Sequence, residues 1–171
     1  MSTESGEPQS LAALALVAPA TAAAQQSGDF MATAGVGGTY YCIVTRCNTG
    51  MTVGAHVAYG LLQPVALEAR AGRHLCFDCD RYFLVEGGAQ LRLPRGRVQP
   101  FLAAGASLHS DPEFFGDAVG PYAGVGVWLH PTAGLALRAE VRGHQLNRGS
   151  RLGELSVAVG HRFGGGGRKG N

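Results

Sequence analysis

The sequence predicts an all-β fold, an eight-stranded antiparallel up-and-down transmembrane β-barrel. Three observations predict it. Beyond Gly28, apolar residues recur with period two in eight successive runs, and no helical period interrupts them. The connections alternate between compact Pro/Gly turns and longer or more polar stretches. Gly accounts for 27 of 171 residues while charged residues make up only 15%, against roughly 7% and 25% in an average soluble domain. The glycines follow no three-residue period, so collagen is excluded. An apolar, Gly-rich chain suits close-packed strands.

Each run is legible in order. From Phe30 to Thr39, Phe30, Ala32, Ala34 and Val36 oppose Met31, Thr33, Gly35 and Gly37. From Met51 to Leu61, Val53, Ala55, Val57 and Tyr59 oppose Thr52, Gly54, His56 and Ala58. From Val65 to His74, Val65, Leu67, Ala69 and Ala71 oppose Glu68, Arg70 and Gly72. From Tyr82 to Leu93, Phe83, Val85, Ala89 and Leu91 oppose Glu86, Gly88, Gln90 and Arg92. The fifth run, Phe101 to Leu108, is small or apolar throughout and has no clear parity. In the sixth, Tyr122 to His130, Val125, Val127 and Leu129 alternate with Gly124, Gly126 and Trp128. In the seventh, Leu135 to His144, Leu135, Leu137, Ala139 and Val141 oppose Ala136, Arg138, Glu140 and Arg142. In the eighth, Leu152 to Phe163, Leu155, Val157, Val159, His161 and Phe163 oppose Glu154, Ser156, Gly160 and Arg162. Runs of this length match the 9–11 residues of a tilted membrane strand.

The short turns fall at Gln63-Pro64, Pro94-Arg95-Gly96 and Pro131 to Gly134. The longer stretches are Tyr40 to Gly50, Leu75 to Arg81, His109 to Gly120 and Gln145 to Arg151, expected on the outer face. Aromatic residues fall near the ends of the runs. Phe30, Tyr59, Phe101, Trp128 and Phe163 lie towards the short turns; Tyr40, Tyr41, Phe77, Tyr82, Phe83, Phe114, Phe115 and Tyr122 lie towards or in the long stretches. Two aromatic girdles around an aliphatic band are what a bilayer selects. Phe30, Tyr59, Tyr82, Phe83, Trp128 and Phe163 are the expected belt residues, although Trp128 and Phe101 break the outward parity of their runs.

Upstream, the apolar stretch Leu11 to Ala18 precedes Ala22-Ala23-Ala24-Gln25. An apolar core before A-x-A is the pattern of a secretory signal peptide over residues 1–24, cleaved after Ala24. The stretch is too short to cross a bilayer as a helix. It departs from the pattern in one respect, because residues 1–10 carry Glu4 and Glu7 and no Lys or Arg. A barrel domain over 28–163 and a flexible Gly-rich tail over 164–171 complete the organisation. The net charge of +2 comes with no cluster of Lys or Arg, which excludes nucleic acid as a partner.

Residues 28–163, closing on Leu155-Ser-Val-Ala-Val-Gly-His-Arg-Phe163, resemble the OmpA/OmpX-like small outer-membrane barrels of Gram-negative bacteria. The resemblance implies residence in the bacterial outer membrane, contact with outer-membrane lipid and lipopolysaccharide, and a terminal Phe163 offered to the insertion machinery. It also implies a monomer with a structural or surface-interaction role, whose extracellular or periplasmic protein partner is unspecified. The tail after Phe163 and the four cysteines depart from that pattern.

An eight-stranded barrel is too narrow for an open channel, so its side chains fill it. Alternation sends Glu68, Arg70, Glu86, Arg92, Arg138, Glu140, Arg142, Glu154 and Arg162 inward. Buried ions must pair, because leaving one unpaired costs several kcal/mol, so a Glu/Arg network is expected. The alternatives are a narrow channel or transporter along the same residues, or a soluble periplasmic lipocalin-like barrel, which needs an apolar interior. Cys42, Cys47, Cys76 and Cys79 fall in the first two outer stretches and read as disulfides of an exported protein, within a stretch or between the two. A Cys76–Cys79 bridge is the more strained choice. A zinc site or a redox motif is the alternative; no helix stands beside the C-x-x-C to lower a thiol pKa, which argues against redox catalysis. Asp111, Glu113, Phe114, Phe115 and Asp117 make the third outer stretch the expected contact surface.

No catalytic constellation, metal site or cofactor site is assigned. Gly143-His144-Gln145-Leu146-Asn147 resembles the H-x-S-N segment of barrel-type lipid A 3-O-deacylases, but Leu146 stands where the nucleophile is needed. His109-Ser110 with Asp111 or Glu113 offers the residue types of a triad, yet consecutive residues rarely reach triad geometry. His56, His130 and His161 read as strand-end or interfacial residues. Gly35-Val-Gly-Gly38 and Gly124-Val-Gly126 precede no helix that could hold phosphate.

Overall fold

The computed structural model describes residues 28–43, 46–75, 82–93, 96–111, 116–145 and 151–163. Eight strands follow in chain order: β1 (Phe30–Ile43), β2 (Arg46–Leu62), β3 (Val65–Leu75), β4 (Phe83–Arg92), β5 (Val98–Asp111), β6 (Gly116–Leu129), β7 (Leu135–Gln145) and β8 (Arg151–Phe163). Each pairs antiparallel with the next, and β8 closes on β1 from Phe30↔Phe163 to Cys42↔Arg151. Closure pairs every strand on both sides within the wall, leaving unpaired edges only where strands extend at the rim.

The alternation read from the sequence orients the side chains. Val36, Val57, Leu67, Val85, Leu102, Val125, Val141, Leu155 and Val157 are all exposed on the outer wall. Such a band would be a liability in water and is what a bilayer solvates. Among the described residues whose side chains are placed, the outward cations are Arg73 and Arg151 near one rim and Arg97 in a turn at the other. In β5, where parity was unclear, pairing with β4 and β6 turns Phe101, Ala103, Ser107 and His109 inward and Leu102 and Leu108 outward.

Two of the expected outer stretches are largely strand. β1 and β2 stay paired to Ile43↔Arg46, so only residues 44–45 lie between them, and β5 and β6 stay paired to Asp111↔Gly116. The physical reason is that a continued ladder satisfies backbone donors and acceptors, and Thr, Tyr and Cys suit it. β3 and β4 stop pairing at Arg73↔Phe83. On the rim opposite the termini β2 therefore runs past β3 and β6 past β7, while β1 stays paired with β8 as far as Cys42↔Arg151 and β5 with β4 as far as Ser110.

Two expected belt residues are corrected. Trp128 is fully buried inside the barrel, where its indole Nε1 donates to Gln90 Oε1 at 3.2 Å. Tyr82 is 7% exposed and stacks on His74 with ring centroids 4.4 Å apart. Phe101 and Tyr122 also point inward, and Tyr122 sits mid-strand because β6 begins at Gly116. The lumen thus holds an aromatic and aliphatic cluster of Met31, Ala58, Phe101, Ala103, Tyr122, Trp128 and Ala136. Polar partners inside the lumen make this placement stable for Trp and Tyr. Phe30, Tyr59, Phe83 and Phe163 face outward.

Candidate functional site

The lumen is the most densely functionalised part of the molecule. Period-two alternation on β3, β4, β7 and β8 sends all their charged residues but Arg73 and Arg151 inward, and antiparallel register sets Arg70 level with Glu86 and Arg142 level with Glu154. Glu68 is the hub. Its Oε1 accepts from Tyr122 Oη at 2.6 Å and Arg142 NH2 at 3.0 Å. Its Oε2 accepts from Gln90 Nε2 at 2.5 Å and Arg138 NH2 at 3.2 Å, and lies 3.0 Å from His56 Nε2. One carboxylate therefore ties together side chains from β2, β4, β6 and β7.

Arg142 is the matching cationic hub. It reaches Glu140 at 2.7 Å and also pairs with Glu86, while its guanidinium lies 4.4 Å from the centre of the Tyr122 ring. Arg138 holds Glu140 at 2.7 Å, contacts His56, and lies over both Phe101 and Trp128. Arg70 pairs with Glu154 and lies 3.7 Å from Glu86. Arg162 and Asp29 meet at 2.5 Å near the terminal rim. Arg92 lies apart from the carboxylates: its Nε donates to Gln90 at 2.8 Å and its guanidinium lies over Trp128. Five inward guanidiniums (Arg70, Arg92, Arg138, Arg142, Arg162) thus face five inward carboxylates (Asp29, Glu68, Glu86, Glu140, Glu154). The lumen is close to neutral and carries charge through most of its height. One cavity among these side chains, lined in part by His56, Arg70 and Glu140, holds about 20 Å³, room for about one water.

The sequence placed all nine of its charged residues on the inward face, but it missed Asp29 and His56. His56 is not interfacial; it is buried mid-lumen between Glu68 and Arg138. Its position opposite Arg70 on the inward parity of β2 was the available signal. A histidine cluster above the network was also missed. Tyr82 lies between His74 and His109, and His109 meets His144 edge-on at 5.5 Å.

That cluster contains a serine, Ser107, with its Oγ 3.3 Å from both His109 Nε2 and His144 Nδ1, while His144 Nε2 lies 3.4 Å from Glu86. These residue types do not make a working nucleophile here, because Ser107 is 1% exposed and its hydroxyl donates to the Gly120 carbonyl. Ser110, which the sequence set beside His109, lies on the opposite face of β5, across from outward Phe83. Among the described residues, no group of three His, Cys, Asp or Glu side chains is arranged to hold a metal ion.

At the outer end, Cys42 and Cys47 occupy opposed positions of β1 and β2 and form a disulfide, with Cα atoms 4.1 Å apart. Cys76, Cys79, Glu113, Phe114 and Phe115 lie outside the described residues. Asp111 and Asp117 occupy the last two rungs of the β5–β6 ladder, Asp111 opposite Gly116 and Asp117 opposite Ser110.

The model of the outer membrane protein beta-barrel domain matches residues 10–163. The chain belongs to that family. No curated protein matches it. Among solved structures, Neisserial surface protein A is similar at 20% identity and a TM-score of 0.69, covering 79% of this chain and 97% of its own. Ail, the attachment invasion locus protein of Yersinia pestis, is similar at 14% identity and a TM-score of 0.57, covering 81% and 100%. The N-terminal barrel domain of Pseudomonas aeruginosa OprF follows at 15% identity and 0.57, covering 77% and 97%. The protein is a β-barrel of the bacterial outer membrane.

Proposed function

We propose that this outer-membrane barrel is a sealed, non-enzymatic anchor that presents its longer hairpins outside the cell. The observation that carries the reading is the lumen itself, crossed by Glu68, Glu140, Arg142 and Arg138 in linked ion pairs. A charged lumen disfavours the lipocalin-like alternative, which requires an apolar cavity. The Glu/Arg network acts as a structural filling, since each paired member, Arg92 excepted, neutralises a neighbour that would be costly alone. Residues 1–24 serve as the export signal and 164–171 as a tail on the periplasmic rim. The rim bearing the disulfide and the β5–β6 ribbon faces outward, in keeping with short periplasmic turns and larger outer elements. Asp111 to Asp117 form the contact surface for an external partner, and the barrel works as a monomer without cofactor or nucleic acid. Ail has been crystallised with a heparin analogue, a precedent for polyanion contact by a barrel of this fold.

Planar-bilayer recording on the refolded protein tests the seal. No unitary conductance is expected; reproducible steps that change on Arg142→Met would establish the channel reading instead. Orientation is tested separately with Phe114→Cys on intact cells. A membrane-impermeant maleimide should label it, and labelling only after rupture would reverse the assignment.

A further inference from the structure

We infer that the lumen holds one resident proton between Glu86 and His144, a proton-dependent lock that alkali releases. The inference goes beyond the filling role proposed above, since it concerns the protonation state of the network and not its presence.

Two independent observations carry it. The first is the direction of the hydrogen bonds. Ser107 has one hydroxyl proton, which goes to the Gly120 carbonyl at 3.2 Å. The Ser107 oxygen is then an acceptor for both rings that face it, His109 through Nε2 and His144 through Nδ1, each at 3.3 Å. His144 therefore carries a proton on Nδ1. Its other nitrogen, Nε2, faces Glu86 Oε1 at 3.4 Å, with both side chains buried. A carboxylate oxygen and a bare imidazole nitrogen are both acceptors, and burying the two face to face is unfavourable. One proton between them removes the conflict, as imidazolium on carboxylate or as neutral acid on neutral ring.

The second observation is the charge count. Ion pairs link Glu68, Glu86, Glu140 and Glu154 to Arg70, Arg138 and Arg142, four carboxylates to three guanidiniums. Asp29 and Arg162 form a separate pair, and Arg92 is held off by Gln90, which accepts from it and donates to Glu68. One more proton makes the linked group neutral, the cheapest state for buried ions. Glu86 is where it belongs. Glu68 already accepts from Tyr122, Gln90, Arg138 and Arg142, and both oxygens of Glu140 accept from arginines. Glu154 Oε2 has no partner to receive a proton. His56 Nε2, the other histidine nitrogen beside a carboxylate, already accepts from Arg138.

Around the pair stand Arg70 and His74 on β3, His109 on β5, Tyr122 on β6, Glu140 and Arg142 on β7, and Glu154 on β8. When the proton leaves, the two acceptors repel. Relief comes when His144 moves its remaining proton to Nε2 and Ser107 turns its hydroxyl from Gly120 to Nδ1. Ser107 and Gly120 are opposed across β5 and β6, in the part of β6 that runs past β7. Release of the proton thus also unties those two strands at the outer end.

The test is ¹⁵N NMR of the histidine-labelled, refolded full-length barrel in detergent, with His144 assigned by its loss in His144→Gln. In neutral buffer His144 Nδ1 should carry a proton; in alkaline buffer that proton should appear on Nε2 instead. Glu86→Gln sets an amide donor against Nε2, so Nδ1 should stay protonated throughout and the transition should vanish. Across the same pH range the unfolding midpoint of wild type should fall relative to Glu86→Gln. A bare Nδ1 in neutral buffer, with Nε2 donating to a charged Glu86, would overturn the inference. An unchanged transition in Glu86→Gln would do the same. If that variant does not fold, the ¹³C carboxyl resonance of Glu86 in wild type carries the comparison, and it should move together with His144. Bilayer conductance is a separate readout, so a sealed barrel that lacks this proton sinks this inference alone.

Discussion

At the residue scale, the lumen is governed by the cost of leaving one buried charge without its counter-ion. Arg142 touches Glu68, Glu86 and Glu140. Arg142→Met would leave three carboxylates facing one another, and breaking such a buried pair costs about 3–5 kcal/mol. Urea unfolding of the vesicle-inserted protein should show that loss, with Glu86→Gln in the same chain restoring part of it. His130, in the turn after β6, offers a pH-dependent readout. Burial, with Arg162 and Arg92 nearby, holds its imidazole below the ordinary value, about 6.5. The neutral form is favoured in the fold, so its contribution is present above about pH 6.5 and lost as pH falls towards the lowered folded value. The stability of wild type relative to His130→Gln should therefore be constant above about pH 6.5 and fall as pH drops below it, read from the unfolding midpoints.

At the element scale, the close approach of β4 and β5 and the first outer hairpin carry separate expectations. Gly88 and Gly105 face each other across β4 and β5. A Cβ on Gly105 would stand 2.8 Å from Tyr122 Cε1, and one on Gly88 would meet the Tyr122 hydroxyl. The paired glycines thus make room for the phenol that donates to Glu68. Gly105→Val should press on the Gly87 carbonyl and the Gly88 Cα as well as displace Tyr122, and cost about 1–3 kcal/mol or more, measured as a lower unfolding midpoint. The Cys42–Cys47 disulfide closes a very short loop at the end of an already paired ribbon, so the chain-entropy gain is at most about 2 kcal/mol. Cys42→Ser with Cys47→Ser should leave the barrel folded, and compact, heat-modifiable migration should persist under reduction.

At the scale of the whole molecule, the outward aliphatic band and the charged lumen reverse the arrangement of a water-soluble protein. The protein should fractionate with the outer membrane, resist extraction without detergent, and migrate faster on gels before heating than after. Release by osmotic shock alone would contradict it. The mass of the membrane-extracted chain should begin at Gln25 if Ala22-Ala23-Ala24 is the processing site. An intact Met1 would remove the export-signal reading.

Strand number and facing were legible because lipid and lumen impose opposite demands on alternate residues, and a period of two records that directly. Val125, Val127 and Leu129 point outward on this ground alone. The same parity sets Trp128 inward, against the expectation of a girdle, and Gln90 inside the lumen is the partner that makes inward burial of the indole favourable. β5 had no readable parity because Ala103, Ala104 and Ala106 make both of its faces small, and only pairing with β4 and β6 oriented it. The ion pairs were equally invisible as pairs. Glu68 and Arg142 are 74 positions apart, and nothing local tells which Arg meets which Glu. The residues alone thus dictate the membrane barrel, its strand count and the facing of most side chains, because these follow from the two solvents on either side of one sheet. The ion-pair partners, the inward aromatics and the ends of the outer ribbons were set by tertiary closure, because they depend on the register with which distant strands complete the cylinder.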